Sequence, residues 1–188
     1  QIILGTSAIL ERFGSLEKII KKDRFKVKHK IFNLVDGDKP ITMAKSTALE
    51  INELSNIFEN SKPNLVVAIA DRFETMAVAI AASYMNIPLL HTQGGEVTGS
   101  IDESVRHAIS KLANIHFPSN NKAKKNLIRM GEDPKSIFTI GCPSIDLAKS
   151  IKNKKFQLEK MLSKYKFSYS GKKRLKNFQI ILFLFNIL

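Results

Sequence analysis

The residues best able to do chemistry are concentrated in one stretch, from Asn86 to Ala113. Within it a Gly-Gly pair, three carboxylates, two histidines and an arginine follow a short apolar run. Ser100 and Glu103 have the spacing of a capping box, and the apolar residues after them recur at helical intervals. The pattern predicts a polar loop between a buried strand and a helix. In open α/β sheets, ligands bind at loops that follow the carboxyl ends of strands.

A second polar turn begins at Asp71, directly after the apolar run NLVVAIA. Glu74 follows three residues later, so a helix-capping role explains Asp71 without any function. The next predicted strand ends at His91, however, and the Asp71 turn and the His91–Gln93 loop should therefore lie side by side at one edge of the sheet. The two loops together predict a carboxylate-rich acid–base site.

Several other residues of these loops are candidates for the site. Gly95 permits a positive φ and the close approach of a ligand, although a tight turn explains a glycine pair equally well. Glu96 has no capping role and is a candidate contact for a sugar or a base. Asp102 lies in the first helical turn with Arg106 one turn later, so a surface ion pair between them is the alternative to a role in the site.

The remaining polar residues indicate neither a metal site nor a bound cofactor. The four histidines are scattered, Cys142 is the single cysteine, and there is no Walker-type loop. His29 and His116 fall inside predicted strands, where a structural role is expected.

Strands and helices alternate along the chain, which predicts an α/β fold with a doubly wound parallel sheet. The runs NLVVAIA and PLLH are continuously apolar, as is typical of central strands buried on both faces. The pattern predicts strands at 1–4, 25–34, 64–70, 88–91, 115–118 and 137–141, and helices at 15–23, 43–60, 73–86, 101–112, 120–130 and 144–152.

Composition favours one domain over residues 1–150 followed by a tail over residues 151–188. The tail holds ten Lys and Arg against the single acid Glu159, and so carries +9 of the net charge of +13. A nucleic-acid-binding tail would interleave its basic residues with stacking aromatics, and the tail shows only a weak version of this pattern, so we favour a solvated tail. The absence of a long apolar run or a signal pattern, together with the lone cysteine, favours a cytoplasmic setting.

The run FQIILFLFNIL at 178–188 is too short to span a bilayer. Two interpretations remain open for it. The favoured one is a non-native end, and the alternative is a strand that occupies a vacant position in the sheet.

The amino-acid sequence of the chain also resembles that of a known family. Three blocks occur in one order at family-like spacing: the DRFE turn, the GGE-V-x-G-x-ID-x-x-RHA-x-x-KLA block, and GCPSID. They resemble the hydrolysing UDP-N-acetylglucosamine 2-epimerases, in the branch that feeds sialic, legionaminic and related nonulosonic acid synthesis. The likeness covers roughly residues 1 to 160.

This resemblance implies a glycosyltransferase-B fold, in which two Rossmann-like domains hold a nucleotide sugar in the cleft between them. Residues 1–150 would be the N-terminal domain, without the first strand and its Gly-Thr-Arg loop and without the second domain. The implied reaction removes the C2 proton, eliminates UDP or GDP, and adds water to the glycal, releasing the free 2-epimer.

By the same resemblance, Asp71 and Asp102 match two acid–base carboxylates of the family. Many members carry glutamate at position 93, but this chain has Gln93, which can orient a hydroxyl or water and cannot exchange a proton. Either the chain belongs to a subgroup that acts on a diacetamido-trideoxy sugar, or its activity is impaired. The substrate-binding residues implied are His91, Gly95, Glu96, Arg106 and Arg72.

The expected partner is a nucleotide sugar, UDP-linked or GDP-linked, with no nucleic acid and no membrane, and the full-length protein is expected to form a homo-oligomer. The 188-residue chain alone is expected to be inactive. Two alternatives remain: a glycosyltransferase of the same architecture, and a non-catalytic remnant that binds a nucleotide sugar.

Overall fold

A computed structural model describes residues 1–14, 16–37, 39–69, 71–153 and 180–184 of the chain. The predicted α/β class is confirmed, because strands and helices alternate. The strands are β1 (Ile2–Gly5), β2 (Val27–Ile31), β3 (Leu65–Ile69), β4 (Leu89–Thr92), β5 (Ile115–Phe117) and β6 (Ile180–Leu184). The helices are α1 (Leu16–Lys22), α2 (Pro40–Ser61), α3 (Phe73–Tyr84), α4 (Ile101–Leu112), α5 (Asn121–Arg129) and α6 (Pro143–Asn153).

The six strands form one sheet in the order β2-β1-β6-β3-β4-β5, and every pairing between neighbours is parallel. Parallel neighbours require crossover connections, which α1 provides between β1 and β2, α3 between β3 and β4, and α4 between β4 and β5. All strands therefore end at the same edge of the sheet, where the polar loops of the sequence are found.

The central strands β1, β3 and β4 are buried on both faces. Ile3, Val66 and Ala68 belong to the main core, which also contains Leu54 and Phe58 of α2. The alternate residues of the central strands pack in separate clusters on the opposite face: Leu65, Val67 and Leu90 in one, Leu4 in another. Alternation of this kind explains why the central strands are continuously apolar.

Helix α2 shows how the sequence sets the ends and the buried face of a helix. It begins with Pro40, whose missing N–H costs nothing in the first turn. Its C-cap is Lys62, which has a φ of +45° and donates its N–H to the carbonyl of Phe58 at 2.8 Å. Pro63 follows and prevents the helix from continuing. The buried residues recur every fourth position: Ser46, Glu50, Leu54 and Phe58.

Helix α3 is apolar nearly all round, and the structure covers it on most sides. It packs against α2 and α4 and against β3, and its alanines at 77, 79, 81 and 82 are buried. Small side chains allow these helices to approach closely, so the predicted interior position is confirmed.

The strand predicted at 137–141 is wrong. Only an isolated bridge between His116 and Ile137 forms there, with the N–H of Phe138 donated to the carbonyl of His116 at 2.9 Å. Opposite this segment the chain has Pro118, which has no N–H to donate, and a regular ladder therefore does not extend past β5.

Residues Ile180–Leu184 form β6, a central strand parallel to both of its neighbours. Leu182 is in register with Ile2 of β1 and with Val67 of β3. The structure thus agrees with the strand alternative for the apolar run, and β1 and β3 have no direct pairing without it. The division at residue 150 stays a prediction, because residues 154–179 lie outside the described part of the chain.

In the described part of the chain, no helix is both long enough and apolar enough to cross a bilayer.

The central position of β6 can be tested with Leu182→Pro. Proline removes an N–H from a strand that has neighbours on both sides, so we expect the free energy of unfolding to fall by about 3 kcal/mol. The measurement is urea denaturation followed by circular dichroism. Leu182→Ile, which keeps the N–H and the volume, is the matched control, and equal midpoints for the two variants would show that β6 is not in the sheet.

Candidate functional site

The two polar loops of the sequence are neighbours in space. Strands β3 and β4 are paired, with Ile69 in register with Thr92. Asp71 follows β3 and Gln93 follows β4, so both turns leave the same edge of the sheet at adjacent positions. The predicted adjacency of the two loops at the carboxyl edge is therefore confirmed.

Asp71 does not cap α3. The residue at the N-cap is Arg72, and no side chain caps this helix. The carboxylate of Asp71 is instead held by the guanidinium of Arg106, whose Nη2 donates to Oδ2. The capping interpretation of Asp71 is wrong, because a charged partner from another element binds the carboxylate more strongly than a backbone N–H does.

Arg106 connects three elements. Its side chain is only 6% exposed, and besides Asp71 it reaches the loop after β4, where Nη1 donates to the carbonyl of Glu96 at 2.7 Å. Burial lowers the pKa of Arg106 from its ordinary value. The alternative of a surface ion pair with Asp102 is therefore wrong, since Arg106 points into the protein.

Asp102 lies in the first turn of α4, one helical turn before Arg106. Residues four apart occupy the same flank of a helix, so Asp102 lies on the side of α4 that is fastened to the Asp71 turn. Its half-buried carboxylate makes no hydrogen bond or ion pair with other described residues.

The predicted capping box of Ser100 and Glu103 is wrong, because Glu103 binds the loop before the N-cap instead. Its Oε2 accepts from the N–H groups of Thr98 and Gly99, both at 2.6 Å. The backbone N–H of Gly99, then that of Thr98, lowers the pKa of Glu103. Ser100 is the N-cap of α4, but its side chain makes no capping bond.

The loop after β4 is fastened to the connection between β5 and α5. The N–H of Gln93 donates to the carbonyl of Phe117 at 2.9 Å. Ser119 donates its hydroxyl to Oε1 of Glu96, and Asn126 donates Nδ2 to the carbonyl of Gly95 at 2.8 Å. One oxygen of Glu96 is thus engaged within the protein, and the sugar or base contact expected of it remains a prediction.

Gln93 and Gly95 have positive φ values of +61° and +81°. For Gly95 the reason is also steric, since a Cβ there would lie 2.3 Å from the carbonyl oxygen of Ala123. For Gln93, a non-glycine residue in the left-handed region is uncommon and costs energy. Strain of this kind is concentrated at functional sites.

His91 is fully buried within β4. Its Nδ1 lies 3.0 Å from Oγ of Ser110, which in turn donates to the carbonyl of Arg106 at 3.0 Å. These contacts are all with the protein itself, and the substrate contact expected of His91 stays a prediction. His91 positions α4 against the sheet.

Arg72 lies at the rim, with its side chain 41% exposed. Its Nε donates to Oε2 of the fully buried Glu74 at 3.2 Å. The guanidinium is thus anchored from behind and has access to solvent, which suits a group that binds an anionic ligand.

Sequence reasoning missed the residues that hold the site in place. Ser119 and Asn126 looked like ordinary helix-start and surface residues, because a bond across more than twenty residues leaves no local pattern. Glu50 left a signal that was overlooked: it lies on the same flank of α2 as Leu54 and Phe58, which the periodicity placed inward.

Neither a metal cluster nor a ligand set is evident in the described residues, where no three side chains of His, Cys, Asp or Glu converge. The polar groups at the rim can instead hold and orient an anionic ligand and exchange protons with it. Asp71 and Asp102 are the carboxylates available for such exchange.

Comparison with known proteins shows which family the chain matches. The sequence profile of the UDP-N-acetylglucosamine 2-epimerases matches residues 12–185, and so extends through the apolar run of β6. A GDP/UDP-N,N'-diacetylbacillosamine 2-epimerase (hydrolyzing) from Campylobacter jejuni is 41% identical over 165 residues, 86% of this chain and 42% of that protein. A UDP-N,N'-diacetylbacillosamine 2-epimerase (hydrolyzing) from Legionella pneumophila is 40% identical over 134 residues, 71% and 36% of the two chains.

Solved structures show the same fold. The UDP-GlcNAc 2-epimerase from Neisseria meningitidis bound to UDP-GlcNAc superposes with a TM-score of 0.67 at 21% identity, covering 91% of this chain and 53% of the other. The chain thus spans about half or less of the length of the proteins it matches.

Two glycines in one loop make a matched test of the site's packing. Gly95→Ala should lower the free energy of unfolding by at least about 2 kcal/mol, because the new methyl meets the backbone of α5 and the φ is positive. Gly99 has a similar φ of +77° with nothing within 4 Å, so Gly99→Ala measures the φ penalty alone. Equal losses in thermal or urea unfolding would contradict the close approach at Gly95.

Proposed function

Because this chain belongs to the UDP-N-acetylglucosamine 2-epimerase family, we propose that it is part of a hydrolysing nucleotide-sugar 2-epimerase. The observation that carries the proposal is the bond between Asp71 and Arg106. It joins two carboxylate-bearing elements, the turn after β3 and the first turns of α4, into one site at the edge where such sheets bind ligands.

The proposed reaction needs two proton transfers at carbon 2 of the sugar. A base takes the C2 proton, the bond from C1 to the nucleotide oxygen breaks, and UDP or GDP leaves with that electron pair as a C1–C2 double bond forms. Water then adds its oxygen to C1, and a proton returns to C2 from the opposite face. The product is the free 2-epimer.

Asp71 and Asp102 are the residues we assign to these transfers. A guanidinium beside a carboxylate favours its ionised form, and this is the form that accepts a proton. Arg106 therefore orients the carboxylate of Asp71. Asp102, whose carboxylate is not engaged, is assigned to the second transfer.

Gln93 is assigned an orienting role, because an amide binds hydroxyl groups without exchanging protons. Arg72, exposed at the rim beside Asp71, is assigned to the diphosphate. Two of the similar relatives act on diacetylbacillosamine linked to UDP, and one of these also on the GDP form. We therefore favour a diacetamido-trideoxy sugar over N-acetylglucosamine as the substrate.

The activity of the whole protein is proposed for a chain longer than this one, since the relatives are about twice its length. The related structure from Neisseria meningitidis, of which this chain covers 53%, is bound to UDP-GlcNAc. We propose that the 188-residue chain alone does not release UDP, that the complete protein works in the cytoplasm, and that it forms a homo-oligomer.

A non-catalytic binding role is the second candidate. Gln93 in place of a proton-exchanging residue favours it, and so does the share of the relatives' length that the chain covers. The third candidate is a glycosyltransferase of the same architecture. Solvent exchange distinguishes it from the epimerase, because only the epimerase exchanges the C2 hydrogen with solvent.

The proposal is tested by a chimera in which residues 12–153 replace the matching part of the Campylobacter relative. We expect UDP release from UDP-diacetylbacillosamine, and in D₂O we expect deuterium at C2 of the product, detected by NMR. Asp71→Asn should reduce the rate at least about 100-fold, since it removes the proposed base.

Asp23→Asn, at an exposed site in the same segment, is the control and should leave the rate unchanged. Turnover without deuterium at C2 would contradict the epimerase. A folded chimera that binds the nucleotide sugar but leaves it intact would favour the binding role.

A further inference from the structure

Two glutamates are buried together beneath the site and take no part in the proposed reaction. Glu50 of α2 and Glu74 of α3 are both 0% exposed, and their helices pack directly against each other. Each has one carboxylate oxygen engaged. Oε2 of Glu50 accepts from Nδ2 of Asn33 at 2.9 Å, and Oε2 of Glu74 accepts from Nε of Arg72 at 3.2 Å.

The second oxygen of each glutamate has no hydrogen-bond partner. Oε1 of Glu50 and Oε1 of Glu74 are both buried and unsatisfied. Two unpaired carboxylate oxygens in the protein interior cost several kcal/mol if both groups are charged. A single proton removes both deficits, because it turns one oxygen into a donor while the other remains an acceptor.

The charges that face the pair decide which glutamate holds this proton. Arg72 is the one cation bound to either group in the described part of the chain, and it binds Glu74. The groups that face Glu50 are Asn33, which is neutral, and Glu74, which is negative. The other charged groups of this turn, Asp71 and Arg106, bind each other.

We propose that Glu50 and Glu74 form a buried acid pair that holds one proton, carried by Glu50 and shared with Glu74, while Glu74 retains the charge that anchors Arg72. A small rotation of either side chain, or one buried water, completes the link between the two free oxygens. The pair is a proton-dependent clamp on the turn that contains Asp71 and Arg72.

Burial, and then the neighbouring charge of Glu74, raises the pKa of Glu50 well above its ordinary value of 4.5, which agrees with this assignment. The folded protein therefore keeps a proton that the unfolded chain releases above about pH 4.5. The contribution of this proton to the stability of the folded protein is fully present at acidic pH. It falls as pH rises, by up to about tenfold in the unfolding equilibrium constant per pH unit, until folded Glu50 ionises.

Infrared spectroscopy of the 188-residue chain tests the proposal directly, and it does not depend on any catalytic activity. At pH 7 we expect a carbonyl stretching band from a protonated carboxyl group, absent in Glu50→Gln and present in Glu53→Gln. Glu53 lies on the same helix and is exposed, so it is the matched control. Absence of the band from the unsubstituted chain at pH 7 would overturn the proposal without any variant.

The Glu74→Gln variant tests whether Glu50 shares its proton with Glu74 or is kept protonated by burial alone. With the charge of Glu74 removed, Glu50 should lose its infrared band at a lower pH than in the unsubstituted chain. Urea unfolding from pH 5 to 9 should show the stability of Glu50→Gln rising relative to the unsubstituted chain as pH increases. An unshifted band in folded Glu74→Gln would overturn the pairing, and so would stabilisation by Mg²⁺ or Ca²⁺ that Glu50→Gln abolishes.

Discussion

The site depends on one ion pair, between Asp71 and Arg106. Asp71 leaves the sheet after β3, and Arg106 lies in the middle of α4, so nothing in the local chain fixes their relative positions. Because Arg106 is buried, removing its partner would leave an uncompensated charge in the interior, which is strongly destabilising. The same guanidinium binds the carbonyl of Glu96. One side chain thus sets the geometry of the Asp71 turn, the loop after β4 and the start of α4.

The sheet supplies the second constraint. Parallel strands buried on both faces must be apolar throughout, which leaves their ends as the positions where polar residues are tolerated. The central strands β1 and β3 satisfy this requirement, and β6 completes the sheet between them. The polar residues of the loops after β3 and β4 therefore lie side by side at the carboxyl edge.

The fold could be predicted from the sequence largely because its signals are local. The apolar runs of β3 and β4 and the period of α2 placed these elements within a few residues. The adjacency of the Asp71 and Gln93 turns followed from strand order alone. The prediction of a strand at 137–141 was wrong, because the apolar residues of this segment do not reveal that Pro118 lies opposite it.

The contacts within the site could not be predicted, because they depend on residues far apart in the chain. Local spacing suggested that Asp71 caps a helix and that Arg106 pairs with Asp102, and both interpretations were overturned by a bond across 35 residues. Glu50 left a local signal on the buried flank of α2, but its role depends on Asn33 and Glu74 from other elements. Tertiary partners decide such roles.

A double-mutant cycle on Asp71 and Arg106 tests the central claim most directly. Asp71→Asn, Arg106→Met and the double variant are compared in urea unfolding of the 188-residue chain. If the two side chains bind each other in the interior, the double variant should be more stable than the sum of the single losses predicts, by more than about 1 kcal/mol. Losses that add to within about 0.5 kcal/mol would show that the two side chains do not interact, and the shared site would lose its structural basis.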